Sequence, residues 1–149
     1  MKDTNNLLTH NQWSAGEYGN TIPVILVNML GVITNNYSDI GEQSLKLTKN
    51  ASSGSYSRII YNQSIINKTV TVSAHIRTVD TKAQLLLSEL DSNDNTIQTG
   101  TVNIPTNSYG TFTSSLISGS NNSKFVIHFG NIGGQNSDIY VDDISLTVG

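Results

Sequence analysis

The sequence has no cysteine. That excludes disulfide staples, thiolate nucleophiles and cysteine-based zinc sites. Charge is scarce too. Asp, Glu, Lys and Arg make up 13% of the 149 residues, against about 25% in an average soluble protein. Two residues are arginine, and the net charge is -3. A nucleic-acid surface gathers Lys and Arg to neutralise phosphates, so nucleic acid is excluded as a partner. No apolar run approaches the ~20 residues of a membrane-spanning helix. The longest, Val24 to Ile33, is broken by Asn28 and Gly31, and no membrane insertion is expected. Met1 to Asn6 is polar and lacks the apolar stretch of a secretory signal. The expectation is therefore a protein that stays in the cell, or a module of a longer exported chain.

What replaces charge is Asn, Ser and Thr, about a third of the chain. Such a bias invites a disordered reading. Disorder, however, needs few β-branched residues and high net charge. Here Ile, Val and Thr are abundant, and proline occurs only twice. The length suits one domain of about 100–200 residues.

The periodicity is that of strands. In Thr69 to Arg77, Val70, Val72, Ala74 and Ile76 alternate with Thr71, Ser73, His75 and Arg77. Lys124 to Gly130 alternates likewise, with Phe125, Ile127 and Phe129 on one side. Further strands are expected at Ser44 to Leu47, Ser57 to Tyr61, Gln84 to Leu90, Thr99 to Ile104, Tyr109 to Ile117 and Ile139 to Val148. The leucines of Thr81 to Leu90 also fit a helix, but strands flank them and a turn follows. Asn50 to Gly54, Asp91 to Asn95, Ser118 to Ser123 and Asn131 to Ser137 are turn-forming clusters. Trp13 to Ile40 reads as loop with one buried segment around Val24 to Leu30. Short strands between such turns predict an all-β fold, a sandwich or a barrel.

Several stretches carry a resemblance. The chain opens with Asn6-Leu7-Leu8, Trp13 and Gly16. It closes with Ile139-Tyr140-Val141-Asp142-Asp143-Ile144-Ser145-Leu146. Between them stand Ser44-Leu45-Lys46-Leu47, Gly54-Ser55-Tyr56-Ser57 and Val70-Thr71-Val72-Ser73-Ala74. In order and spacing this resembles carbohydrate-binding modules of the family 4, 9 and 22 type. The resemblance implies an all-β, two-sheet antiparallel β-sandwich with jelly-roll topology over nearly the whole chain, as one domain from residue 1 to 149. It also implies a carbohydrate partner and a structural calcium between the last strand and the N-terminal loops. Asp142 would be the side-chain ligand. Glu17, or carbonyls near Leu8, Thr9 and Gly41, would complete the shell.

The residues supply reasons of their own. Asp142 and Asp143 are adjacent, so on a regular strand one of them faces the core side, unless a bulge intervenes. A carboxylate there needs a partner, and calcium takes six to eight hard oxygen ligands. The alternative is an ordinary pair of strand-end carboxylates. His75 and Arg77 share the polar face of their strand. The resemblance puts that strand on a concave sheet, with His128 on a neighbouring strand of the same sheet. Planar imidazole and guanidinium groups suit sugar hydroxyls; the alternative is a plain solvated face. Trp13, Tyr18, Tyr37, Tyr56, Tyr61 and Tyr109 are the candidate aromatic platforms. Trp13 and Tyr18 stand in a polar, Gly-containing stretch, either touching ligand or capping the core.

Other motifs fail. In Asp91 to Asn95 an EF-hand would need Gly at Thr96 and Glu at Val102. Gly130 to Gly134 follows a strand, but no helix pattern succeeds it, so it is no dinucleotide loop. The three histidines are dispersed, with no metal-binding pair. The function that the resemblance implies is a non-catalytic glycan-binding module, a monomer or part of a larger extracellular or cell-surface protein. The competing expectation is a structural or adhesive jelly roll of a surface or phage tail protein with a protein partner. A small glycoside-active enzyme is the third.

Overall fold

The computed structural model describes residues 25–27, 29–34, 44–49, 56–134 and 136–149. Ten strands run β1 (Ile25–Val27), β2 (Met29–Thr34), β3 (Ser44–Lys49), β4 (Tyr56–Tyr61), β5 (Thr69–Val79), β6 (Ala83–Leu90), β7 (Thr96–Ile104), β8 (Tyr109–Ile117), β9 (Lys124–Asn131) and β10 (Asp138–Val148). Among the described residues there is no helix. Every strand predicted from alternation is present, within a few residues of its expected ends. The leucine-rich segment is strand β6, as its flanks suggested. Where one segment was expected around Val24 to Leu30, the described residues form two strands, β1 and β2, which join different sheets. The turn at Asn50 to Gly54 lies outside the described residues.

The sheets have the orders β1-β4-β9-β6-β7 and β2-β3-β10-β5-β8, all pairs antiparallel. Without β1 and β2, four strands oppose four: β4-β9-β6-β7 and β3-β10-β5-β8. Successive strands alternate between sheets at every step except the β6–β7 hairpin. That is the double Greek key of a jelly roll. Period-two alternation sends one set of side chains inward from each sheet. Ile59, Leu85, Leu87, Phe125, Ile127 and Phe129 meet Leu45, Leu47, Val70, Val72, Ala74, Ile76, Ile139, Val141, Ile144 and Leu146 in one continuous core. Phe112 packs against its edge.

The polar excess is spent on turns and buried locks. Asp91 closes the β6–β7 hairpin by accepting from the backbone N–H groups of Asn93 and Asn95 at 2.9 and 3.0 Å. Those bonds hold its carboxyl below the usual carboxylate range. Glu89 is fully buried with no cation on it. It is satisfied instead by Gln98, Gly119 N–H and Asn122 at 2.7–2.8 Å. Asn122 also exchanges hydrogen bonds with the Ile65 backbone, tying two loops together. The edge strands β7 and β8 approach closely at Gly100. A Cβ there would stand 2.8 Å from the Ser115 carbonyl oxygen.

Candidate functional site

The outer face of the β1-β4-β9-β6-β7 sheet is built in rows. Antiparallel register aligns Arg58, His128, Leu86 and Thr101 in one row. The next contains Tyr56, Gly130, Gln84 and Asn103. These residues alternate with the core residues Ile59, Ile127, Phe129 and Leu85, so they point away from it. Gly130 has no side chain between Tyr56 and Gln84, which leaves the backbone as a floor. The result is an open groove of about 360 Å³ lined by Tyr56, Gln84, Leu86, His128, Asn131 and Ile132, with Lys49 reaching in from β3. Its volume lies within the range of small-molecule sites, ~300–1,000 Å³.

The groove mixes flat apolar surface with fixed polar atoms. Tyr56 meets the His128 ring edge to face, centroids 5.4 Å apart at 82°. Burial, and then the Arg58 charge, hold His128 below the ordinary imidazole range. At neutral pH it is therefore an uncharged ring with one donor and one acceptor. Its Nδ1 is buried and has no hydrogen-bond partner among the described residues, and the same holds for Arg58 Nε. Asn131 fixes the groove's end. Its Oδ1 accepts from Thr81 Oγ1, Ser137 Oγ and Gly133 N–H, and its Nδ2 donates to the Ser137 carbonyl. The Gly130 to Gly134 segment is thus a turn organised by an asparagine.

The predicted single cleft of His75, Arg77 and His128 is not formed. His75 and Arg77 lie on β5 and His128 on β9, in opposite sheets. Both strands show the same alternation, and alternation alone does not say which sheet a strand joins. On their own outer face, His75 and Arg77 gather around Tyr109. The Arg77 guanidinium stands 4.7 Å from the Tyr109 ring centre, and His75 meets that ring edge-on at 4.7 Å. Tyr109 is 52% exposed.

Asp142 lies beside this cluster. In register it faces His75, as Tyr140 faces Arg77. Asp142 is fully buried, and β10 shifts register between Asp142 and Ser145, with Asp143 at φ 49°. The adjacent carboxylates are therefore accommodated by a bulge, one of the two arrangements the sequence allowed. Trp13, Glu17 and Tyr18 lie outside the described residues. Sequence reasoning named Tyr56 and Tyr109 only among six tyrosine and tryptophan platforms. It missed Lys49, Arg58, Gln84, Leu86 and Asn131. The cross-strand register that aligns them is not written in any one strand.

No protein-family model matches the sequence, and no curated protein does. Solved structures do resemble it. A xylan-binding domain from Paenibacillus barcinonensis aligns with TM-score 0.71 at 13% identity, covering 91% of each chain. The C-terminal family 22 carbohydrate-binding module of a Clostridium thermocellum xylanase aligns with TM-score 0.68 at 10% identity, covering 95% of this chain and 97% of that one. The enzymatically active domain of bacteriophage CBA120 tailspike protein 4 aligns with TM-score 0.79 at 13% identity. That match covers 97% of this chain but only 22% of the tailspike chain. Identities this low carry the fold, and the chain is an antiparallel β-sandwich of the fold found in these xylan-binding and family 22 modules.

Proposed function

We propose that the chain is a non-catalytic module that binds a polysaccharide in the groove on the β4-β9-β6 face. The observation that carries this reading is the groove itself. Tyr56 and Leu86 offer apolar surface to the C–H face of a sugar ring. Gln84 and His128 offer hydrogen bonds to its hydroxyls. Modules sharing the fold bind xylan, which supports a carbohydrate ligand. A non-catalytic role agrees with the lining, which among the described residues holds no Asp or Glu to serve as acid or base. Such a ligand belongs outside the cell or at its surface. The test is titration with xylan and a panel of soluble polysaccharides, with wild type and Tyr56→Ala. Binding that Tyr56→Ala weakens supports the reading; no binding across the panel refutes it.

A second reading is a structural module of a phage tail protein. The TM-score of 0.79 to the tailspike domain favours it. Under that reading no glycan binds and the module associates with a neighbouring protein segment.

Calcium is a further proposal. Asp142 is a hard, fully buried oxygen donor beside a bulge in β10, and a hard carboxylate suits this ion. Glu17 would add a second carboxylate. Bound calcium would tie β10 to the chain's other end. The expected result is a melting temperature higher in calcium than in chelator, with the difference lost in Asp142→Ala. An identical temperature in both for wild type rules the ion out.

A further inference from the structure

The groove is cationic in an acidic protein. Lys49 lines it at 7% exposure, and Arg58 neighbours His128 in the same row. A second hollow of about 370 Å³ adjoins at Ile132 and is lined by Lys82, Asn103, Ile104 and Pro105. Three of the chain's eight Lys and Arg residues therefore gather on this surface. Among the described residues, no Asp or Glu lines either hollow. Among the described residues no ion pair engages Lys49 or Arg58, so neither charge is neutralised by a carboxylate there. Arg58 Nε and His128 Nδ1 are buried without hydrogen-bond partners among the described residues.

We propose that the groove selects a polysaccharide whose sugars carry an anionic group, a uronate carboxylate or a sulfate ester, held by Lys49 and Arg58. The proposal rests on the glycan-binding reading above and names the ligand class of that site. A planar guanidinium matches a carboxylate in two parallel hydrogen bonds, while an ammonium acts as a point charge. Lys49 and Arg58 would flank the substituent. Tyr56 and Leu86 would take the ring, and Lys82 would extend the field to the next sugar.

The experiment is calorimetric titration of the folded protein with polygalacturonate and with its carboxyl-reduced, neutral counterpart. Dextran sulfate and dextran form the second pair. Binding to at least one anionic polymer is expected to be tenfold or more tighter than to its neutral partner, and to weaken as salt rises. The pair that discriminates identifies carboxylate or sulfate. Lys49→Gln and Arg58→Gln should each cost about tenfold on that polymer. Lys46→Gln, on the same strand β3 as Lys49 but outside the groove lining, should cost nothing. A thermal melt checks each variant, and Lys49→Met replaces Lys49→Gln if the latter unfolds. Equal affinity for anionic and neutral polymers overturns the charge proposal and leaves glycan binding standing. Failure of all four polymers and of the neutral panel overturns both.

Discussion

Replacing Asn131 with alanine tests whether the groove is built by its hydrogen-bond hub. Asn131 is 1% exposed and makes four bonds of ordinary length: from Thr81 Oγ1 at 2.7 Å, Ser137 Oγ at 3.1 Å and Gly133 N–H at 3.2 Å, and to the Ser137 carbonyl at 2.8 Å. A contact to the Leu47 carbonyl at 3.5 Å is too long to add much. Each bond contributes about 0.5–1.5 kcal/mol net, and a buried group left unsatisfied costs about 1–3 kcal/mol. Thr81 and Ser137 have second acceptors to turn to, in the Lys82 and Gly134 carbonyls. The Gly133 N–H and the Ser137 carbonyl lose their bond to Asn131. The total is about 2–4 kcal/mol. For a domain of this size that lowers the melting temperature by about 4–15 °C. Urea denaturation followed by tryptophan fluorescence gives the free energy directly. Asn131→Asp sets a carboxylate oxygen against the Ser137 carbonyl in a buried site, so it should cost at least as much as alanine. Because Asn131 and Ile132 line the groove, ligand affinity should fall with stability. A fall below about 2 °C in the alanine variant would refute the hub.

Further outcomes follow from the same geometry. Gly100→Ala places a Cβ 2.8 Å from both Ser114 Oγ and the Ser115 carbonyl. The hydroxyl can rotate but the backbone cannot, so a loss of about 1–3 kcal/mol is expected in urea titration. Gly110→Ala, which meets nothing within 4 Å, should stay within about 0.5 kcal/mol of wild type. His128 is held below its ordinary value of 6.5, so the unfolded chain takes up its proton first. The His128 contribution is complete above that pH and is lost as pH falls from it toward the lower folded value. Melting temperatures measured across that window should drop less steeply in His128→Gln than in wild type. Parallel slopes would contradict the assignment.

Much of the fold was legible because period-two alternation and Asn, Asp and Gly turns are local signals. Thr69 to Arg77 and Lys124 to Gly130 announce both their strands and their inward faces. The edge strand β7 is less legible, since both its faces are largely exposed and its residues barely alternate. The site was read less well. His75 and His128 stand at equivalent positions of two similar strands, and only the jelly-roll order separates their faces. Arg58 and Leu86 acquire meaning only when register sets them on either side of His128. The Asp142–Asp143 pair did signal its own irregularity, because two adjacent carboxylates conflict with a regular half-buried strand.

The central claim is that ligand occupies the β4-β9-β6 face rather than the face of Arg77 and Tyr109. Titration of wild type, Tyr56→Ala and Tyr109→Ala with the tightest-binding polysaccharide tests it most directly. Tyr56→Ala is expected to weaken binding by tenfold or more, ~1.4 kcal/mol, while Tyr109→Ala matches wild type. Loss of binding in Tyr109→Ala with Tyr56→Ala unchanged would contradict it and move the site to the opposite sheet.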